Sequence, residues 1–116
     1  MKSLTVDDKS YFFKWEIIKK FNRKEFIDWW DPDAFIWQMC YCLTMYCHPH
    51  FEIWWDPERY NWYYSDFLCQ YCSRHFEIWY DSEKFTWSKI YHLQNFCQDY
   101  KHLWEKDYLI WKLKNA

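Results

Sequence analysis

The sequence predicts an all-α protein, a small α-solenoid of about four 25-residue helical repeats with divergent capping units at its ends. Three observations carry this expectation: a unit that recurs at one period, apolar residues at helical spacing inside it, and a chain without glycine. A fixed period of about 20–50 residues marks stacked architectures, in which each unit buries its apolar face against its neighbours. At 116 residues the chain is expected to form a single repeat domain, 1–116. Its units fall at approximately 6–30, 31–55, 56–80 and 81–105, with a C-terminal cap at 106–116.

The period is plainest where His50–Trp62 aligns with His75–Trp87 and, one step earlier, with Glu25–Trp37. Five columns keep the register: Phe12/Trp37/Trp62/Trp87, Ile18/Leu43/Leu68/Leu93, Phe21/Tyr46/Tyr71/Phe96, Asn22/Cys47/Cys72/Cys97 and Trp29/Trp54/Trp79/Trp104. Within the third copy, Tyr60, Tyr64, Phe67, Leu68, Tyr71 and Cys72 form one stripe at helical spacing. Phe35, Met39, Cys42, Leu43, Tyr46 and Cys47 repeat it in the second copy, and Phe85, Lys89, His92, Leu93, Phe96 and Cys97 in the fourth. Leu68, in mid-stripe, is an expected core residue.

Asp31-Pro32 and Asp56-Pro57 read as an N-cap followed by proline at the first helical position, and Asp81-Ser82 keeps the cap alone. Asn61 or Thr86 could instead cap a shorter helix beginning at the following tryptophan. Pro49 breaks the chain after the second copy's helix. In the segment that follows, Phe51, Trp54 and Trp55 recur across copies whereas Ile53 becomes Asp28, so helical spacing survives and strand alternation does not. Each unit therefore reads as a helix of about 12–16 residues plus a short second helix. The first helix is placed near Ser10–Phe21, carrying Lys14, Lys19 and Lys20, and a closing helix near Glu105–Lys112.

Composition excludes several functions. Ordinary usage would supply roughly eight glycines, and none is present. P-loops, dinucleotide-binding turns and nucleophile elbows need glycine for close backbone approach or positive φ. With 15 basic and 17 acidic residues the chain lacks the basic excess of nucleic-acid binders. No apolar run approaches the roughly 20 residues that span a bilayer, and Met1–Asp8 contains no apolar signal-peptide core. A cytoplasmic protein is expected. The 11 Trp, 11 Tyr and 10 Phe are explained by a small unit that needs large side chains to bury enough area.

The chain resembles short aromatic-rich helical tandem repeats, of α-solenoid type, over nearly its whole length, a class to which no single activity attaches. A second resemblance is local. Cys69-Gln70-Tyr71-Cys72, followed by Ser73-Arg74-His75-Phe76, is similar to the redox motif of the small flavin-linked sulfhydryl oxidases, and Trp37-Gln38-Met39-Cys40 echoes their upstream helix. That resemblance implies a flavin beside Cys69 and Cys72. The family's downstream His-Asn motif has no counterpart in Ile90–Phe96, however, and the repeat itself accounts for Cys72.

Cys40, Cys42, Cys47, His48 and His50 crowd together, and Cys69, Cys72 and His75 follow, residue types that ligate structural zinc. Cys40 and Cys42 point about 200° apart on a helix and cannot share a metal without unwinding it. Cys42, Cys47, Cys72 and Cys97 fall on the apolar stripe, where thiols act as small hydrophobes. Cys69 has polar equivalents in Lys19, Thr44 and Gln94 and is expected to be the exposed thiol. His50 and His75 are repeat-equivalent and read as packing or surface residues, and His92 as a satisfied core histidine. The columns Asp31/Asp56/Asp81 and Asp33/Glu58/Glu83 could form an acidic ridge for a basic partner. Caps and first-turn acids favoured by the helix dipole account for them more simply.

No spacing argues for a nucleophile and base, so no catalytic, cofactor-binding or metal-ligating residue is assigned. The expected function is that of a non-enzymatic scaffold presenting its stacked helices to a protein partner, with neither nucleic acid nor membrane as ligand. Two alternatives stand beside it: a flavin-linked thiol oxidoreductase using Cys69 and Cys72, and a designed or excised piece of a longer repeat array.

Overall fold

The computed structural model describes residues 11–116, with side chains from Trp15 onward. The predicted helix start at Ser10, the Met1–Asp8 stretch and the side chains of Phe12 and Lys14 lie outside the described residues. The chain is all-helical, with no strand among the described residues. Its helices are α1 (Tyr11–Ile18), α2 (Arg23–Trp29), α3 (Cys40–Tyr46), α4 (Phe51–Trp54), α5 (Ser65–Tyr71), α6 (Phe76–Trp79), α7 (Ile90–Phe96) and α8 (Lys101–Lys114). The chain divides into two units, the first ending at Tyr60 with α1–α4 and the second running from Asn61 to Ala116 with α5–α8.

The single helix of about 12–16 residues expected per copy is replaced by three short pieces. Asp56 caps an isolated turn: its carboxylate accepts from the Glu58 and Arg59 amides at 3.0 and 3.3 Å, and its carbonyl from Tyr60 N–H at 2.9 Å. Asp31 and Asp81 do the same for Asp33 and Glu83 at 3.0 and 2.9 Å. The aspartates are thus caps, but of turns that deliver Phe35, Tyr60 and Phe85 into the core. One extended residue follows, Ile36, Asn61 or Thr86, and then a 3-10 turn beginning at Trp37, Trp62 or Trp87. Asn61 accepts from the Tyr63 amide at 3.1 Å and so caps the turn at Trp62 as the shorter alternative expects, whereas Thr86 makes no such cap and donates its hydroxyl to Trp62 O at 2.6 Å. Seven-residue α-helices complete the pieces.

Helices α3, α5 and α7 end alike. Cys47, Cys72 and Cys97 take φ near −121, −122 and −124°, each donating its amide to the leucine four residues back at 2.8–2.9 Å. Each cysteine carbonyl then accepts the indole N–H of the tryptophan seven residues on: Trp54 at 2.7 Å, Trp79 at 2.8 Å and Trp104 at 2.9 Å. The same carbonyls also accept the amides of His50, His75 and Tyr100. All three tryptophans are buried. This clasp folds each short second helix back against the end of the helix before it. Phe51, Trp54, Phe76 and Trp79 are buried, as the helical reading of these segments requires.

The buried face of the longer helices lies to one side of the predicted stripe. Cys40, Leu43, Thr44 and Cys47 in the first unit, and Ser65, Leu68, Cys69 and Cys72 in the second, are fully buried at i, i+3, i+4 and i+7. Met39, Tyr46, Tyr64, Phe67 and Tyr71 are only half-buried, and Phe96 is exposed. Small side chains therefore occupy the closest contacts, and the large rings flank them. Polar members of this face are satisfied. Thr44 Oγ1 meets Cys40 O at 3.2 Å and Tyr60 Oη at 2.7 Å, and Ser65 Oγ accepts the Thr86 amide at 3.3 Å.

Chain ends depart from the pattern. In the first copy Asn22 instead forms a capping box with Glu25, and its carbonyl accepts the Phe26 amide at 2.9 Å. Trp29, the column's first member, is buried with no hydrogen-bond partner for its indole among the described residues. After Trp104 no Asp-Pro follows, so the expected closing helix forms and begins earlier than the predicted cap, running unbroken through α8.

Replacing Trp79 by Phe keeps a ring in the core but removes the clasp's donor, and should lower unfolding free energy by about 1–3 kcal/mol. Trp111→Phe, at a half-exposed site on α8, should change it by less than about 0.5 kcal/mol. Urea denaturation of the two variants compares them directly, and equal effects would contradict the clasp's role.

Candidate functional site

The thiols singled out by sequence are reduced and buried without exception: Cys40, Cys42, Cys47, Cys69, Cys72 and Cys97 are all free. The expectation of an exposed Cys69 is overturned. It lies on the small-residue face of α5 with zero exposure, and the Cys97 thiol approaches its carbonyl at 3.9 Å. Among its equivalents, Thr44 is buried in the same way, while Lys19 and Gln94 in the outer copies are exposed. Burial pushes the Cys42 thiol from 9.0 up to about 11 and the Cys72 thiol up to about 12. It raises Cys47 and Cys69 as well, the latter helped by its hydrogen bond with the Cys97 side chain. Nucleophilic and redox-active cysteines need the opposite, an accessible thiolate with a lowered pKa.

Among the described residues no three His, Cys, Asp or Glu side chains converge in a geometry that could hold a metal ion. His50 is a packing residue: its ring stacks on Phe26 at 4.7 Å and its Nε2 meets Phe21 O at 3.0 Å. In the second unit Tyr100 stacks on Phe76 in the same register, at 4.8 Å. His92 is not the satisfied core residue expected. It is half-buried, its Nε2 stands 3.9 Å from Asp66 Oδ2, and its buried Nδ1 has no hydrogen-bond partner among the described residues. Lys89 shares Asp66 at 3.1 Å and sits 3.9 Å over the Tyr63 ring. The stripe's two polar members in this copy thus turn to a charged cluster on its flank.

The second acidic column is also put to structural use in the first unit. Arg59 donates to Asp33 Oδ1 at 2.8 Å and to the Pro32 carbonyl at 2.8 Å. No helix among the described residues is long and apolar enough to cross a membrane.

A concave site does exist in the second unit, where α8 passes the turn at Ser82. Ser82, Glu83, Trp87, Asp107, Ile110, Trp111 and Lys114 enclose an open cavity of about 470 Å³. Trp87 is positioned by its indole bond to Ser82 O at 2.9 Å and by stacking on Tyr108 at 6.2 Å. Asp107 is fixed by the Tyr80 hydroxyl, which donates to it at 2.7 Å; burial, then this contact, raises the tyrosine's pKa. Each of these residues but Lys114 falls in a feature legible in the sequence: Ser82 in the third cap, Glu83 in the acidic column, Trp87 at a repeat position, and Asp107, Ile110 and Trp111 in the closing helix, but nothing there brings them together around a cavity. The walls come from the fourth copy's turn, at Ser82, Glu83 and Trp87, and from α8, at Asp107, Ile110, Trp111 and Lys114.

No protein-family model, no curated protein and no solved structure matches this chain.

Brief alkylation of the native protein at neutral pH should label none of the six cysteines rapidly. Cys42, at 5% exposure the most accessible, should react first, and all six together once denaturant unfolds the chain. Peptide mass spectrometry reads the order. Rapid native labelling of Cys69 or Cys72 would contradict this burial.

Proposed function

We propose that this chain is a non-enzymatic binding module, a cytoplasmic scaffold whose four 25-residue units stack as a small α-solenoid in one domain and present a surface to a protein partner. The recurrence of the indole–carbonyl clasp at Trp54, Trp79 and Trp104 supports the repeat arrangement. The observation that carries the binding role is the face of α8 in the second unit. Leu103, Leu109, Ile110 and Leu113 are exposed there, Leu113 at 79%, beside the cavity lined by Trp87 and Trp111. Aromatic residues are the anchors that protein interfaces favour, and exposed apolar side chains around a cavity give them a desolvated setting. The buried, high-pKa thiols give the oxidoreductase alternative no comparable support.

Peptides selected against the folded protein from a random display library should converge on this end. Their binding should weaken about tenfold or more in Leu113→Asp, a substitution at an exposed site that leaves the core intact. Binding measured by fluorescence polarisation is the readout. Selected peptides indifferent to Leu113→Asp, or a library yielding no binder, would count against the reading.

A further inference from the structure

The first unit contains a complete arginine receptor. The Pro32 carbonyl accepts two donors, Trp37 Nε1 at 2.9 Å and Arg59 Nη1 at 2.8 Å, while Asp33 Oδ1 accepts Arg59 Nη2 at 2.8 Å. One guanidinium is thereby gripped by a carbonyl and a carboxylate from adjacent residues. The turn that presents them is held by the Asp33 amide bonding to Asp31 Oδ1 at 3.0 Å.

Ser82 and Glu83 hold the same two places in the fourth copy, and the receptor is built again. Trp87 Nε1 donates to Ser82 O at 2.9 Å, and the Glu83 amide bonds to Asp81 Oδ1 at 2.9 Å. What differs is the donor. The column that reads Arg59 and then Lys84 reads Leu109 at the next step, an apolar residue half-exposed on α8. Where the first unit has a guanidinium beside its turn, the second has the open cavity, whose lining also includes Asp107 and the exposed Lys114. Two carboxylates against one ammonium leave the lining with an excess negative charge. Trp111 contributes an aromatic surface on which a planar cation can stack.

We propose that this cavity binds the guanidinium of an arginine side chain presented by a partner protein, gripped by the Ser82 carbonyl and the Glu83 carboxylate as Arg59 is gripped by Pro32 and Asp33. The source of the arginine rests on the binding-module reading; the site itself does not. Arginine is favoured over lysine because the two acceptors stand side by side, which suits a planar fork and not a single ammonium.

The probe is Nα-acetyl-argininamide, titrated into ¹⁵N-labelled protein while the tryptophan indole N–H resonances are followed. Saturable shifts are expected at Trp87 and Trp111, with a dissociation constant in the millimolar range for so small a ligand. The neutral citrulline analogue should give none, the lysine analogue weaker ones, and Glu83→Gln about a tenfold loss of affinity. Glu83 is exposed, so this variant keeps the fold. Unsaturable or absent shifts, equal responses to arginine and citrulline, or an unaffected Glu83→Gln variant would each overturn the proposal. Display peptides that bind α8 without any arginine would sink this site and leave the module standing. An arginine titration that succeeds where display yields no binder would do the reverse.

Discussion

A helix that ends inside a protein leaves its last carbonyls without partners, and the usual remedy is a glycine in the left-handed conformation. This chain has no glycine, and no residue takes a positive φ among those described. Its remedy is an indole. Trp54, Trp79 and Trp104 reach back seven residues to cap the carbonyls of Cys47, Cys72 and Cys97 from within the core. The bond gives each carbonyl, which also accepts the amide of His50, His75 or Tyr100, a second partner from within the core, and it ties the largest side chain available to the helix end. Remove it and the four-residue helices α4 and α6 have nothing intrinsic to hold them, since isolated helices shorter than about 12 residues are marginal in water.

The aromatic excess follows from the same constraint. Phe26 lies between Trp30 and His50 with near-parallel rings, and Phe76 between Tyr80 and Tyr100. Each sandwich joins a short helix to the turn ahead of it and to the next copy in sequence. Elements of four to seven residues bury little area through aliphatic side chains, whereas a phenylalanine or tryptophan buries 150–250 Å², roughly. Large rings make short elements workable, and the small residues buried on α3 and on α5 let each helix pack closely within its own unit.

The helical class and the core leucines were legible because regular columns and helical spacing carry them, and the closing helix because the pattern stops after Trp104; the tryptophan column recurred without revealing the bond its indoles make. The phase of the buried face was not legible. Counting apolar bulk favoured Tyr64, Phe67 and Tyr71, yet the closest contacts belong to Ser65 and Cys69, whose small size is what fits them there. Cys69 is buried for that reason, although its polar equivalents Lys19 and Gln94 in the outer copies are exposed. Asp56 announced a cap without revealing that the helix behind it would be one turn long. The cavity at Ser82 was hidden because its walls belong to a turn and a closing helix more than twenty residues apart, which no column or motif pairs.

Exchange of the tryptophan indole protons with deuterated solvent tests the clasp most directly. The 11 indoles should separate, with Trp54, Trp79 and Trp104 exchanging slowest, through unfolding of the unit that contains each, and half-exposed Trp111 exchanging fastest. If any of the three clasping indoles exchanges as quickly as Trp111 under native conditions, its bond to the cysteine carbonyl does not hold the helix end, and the account fails at its centre.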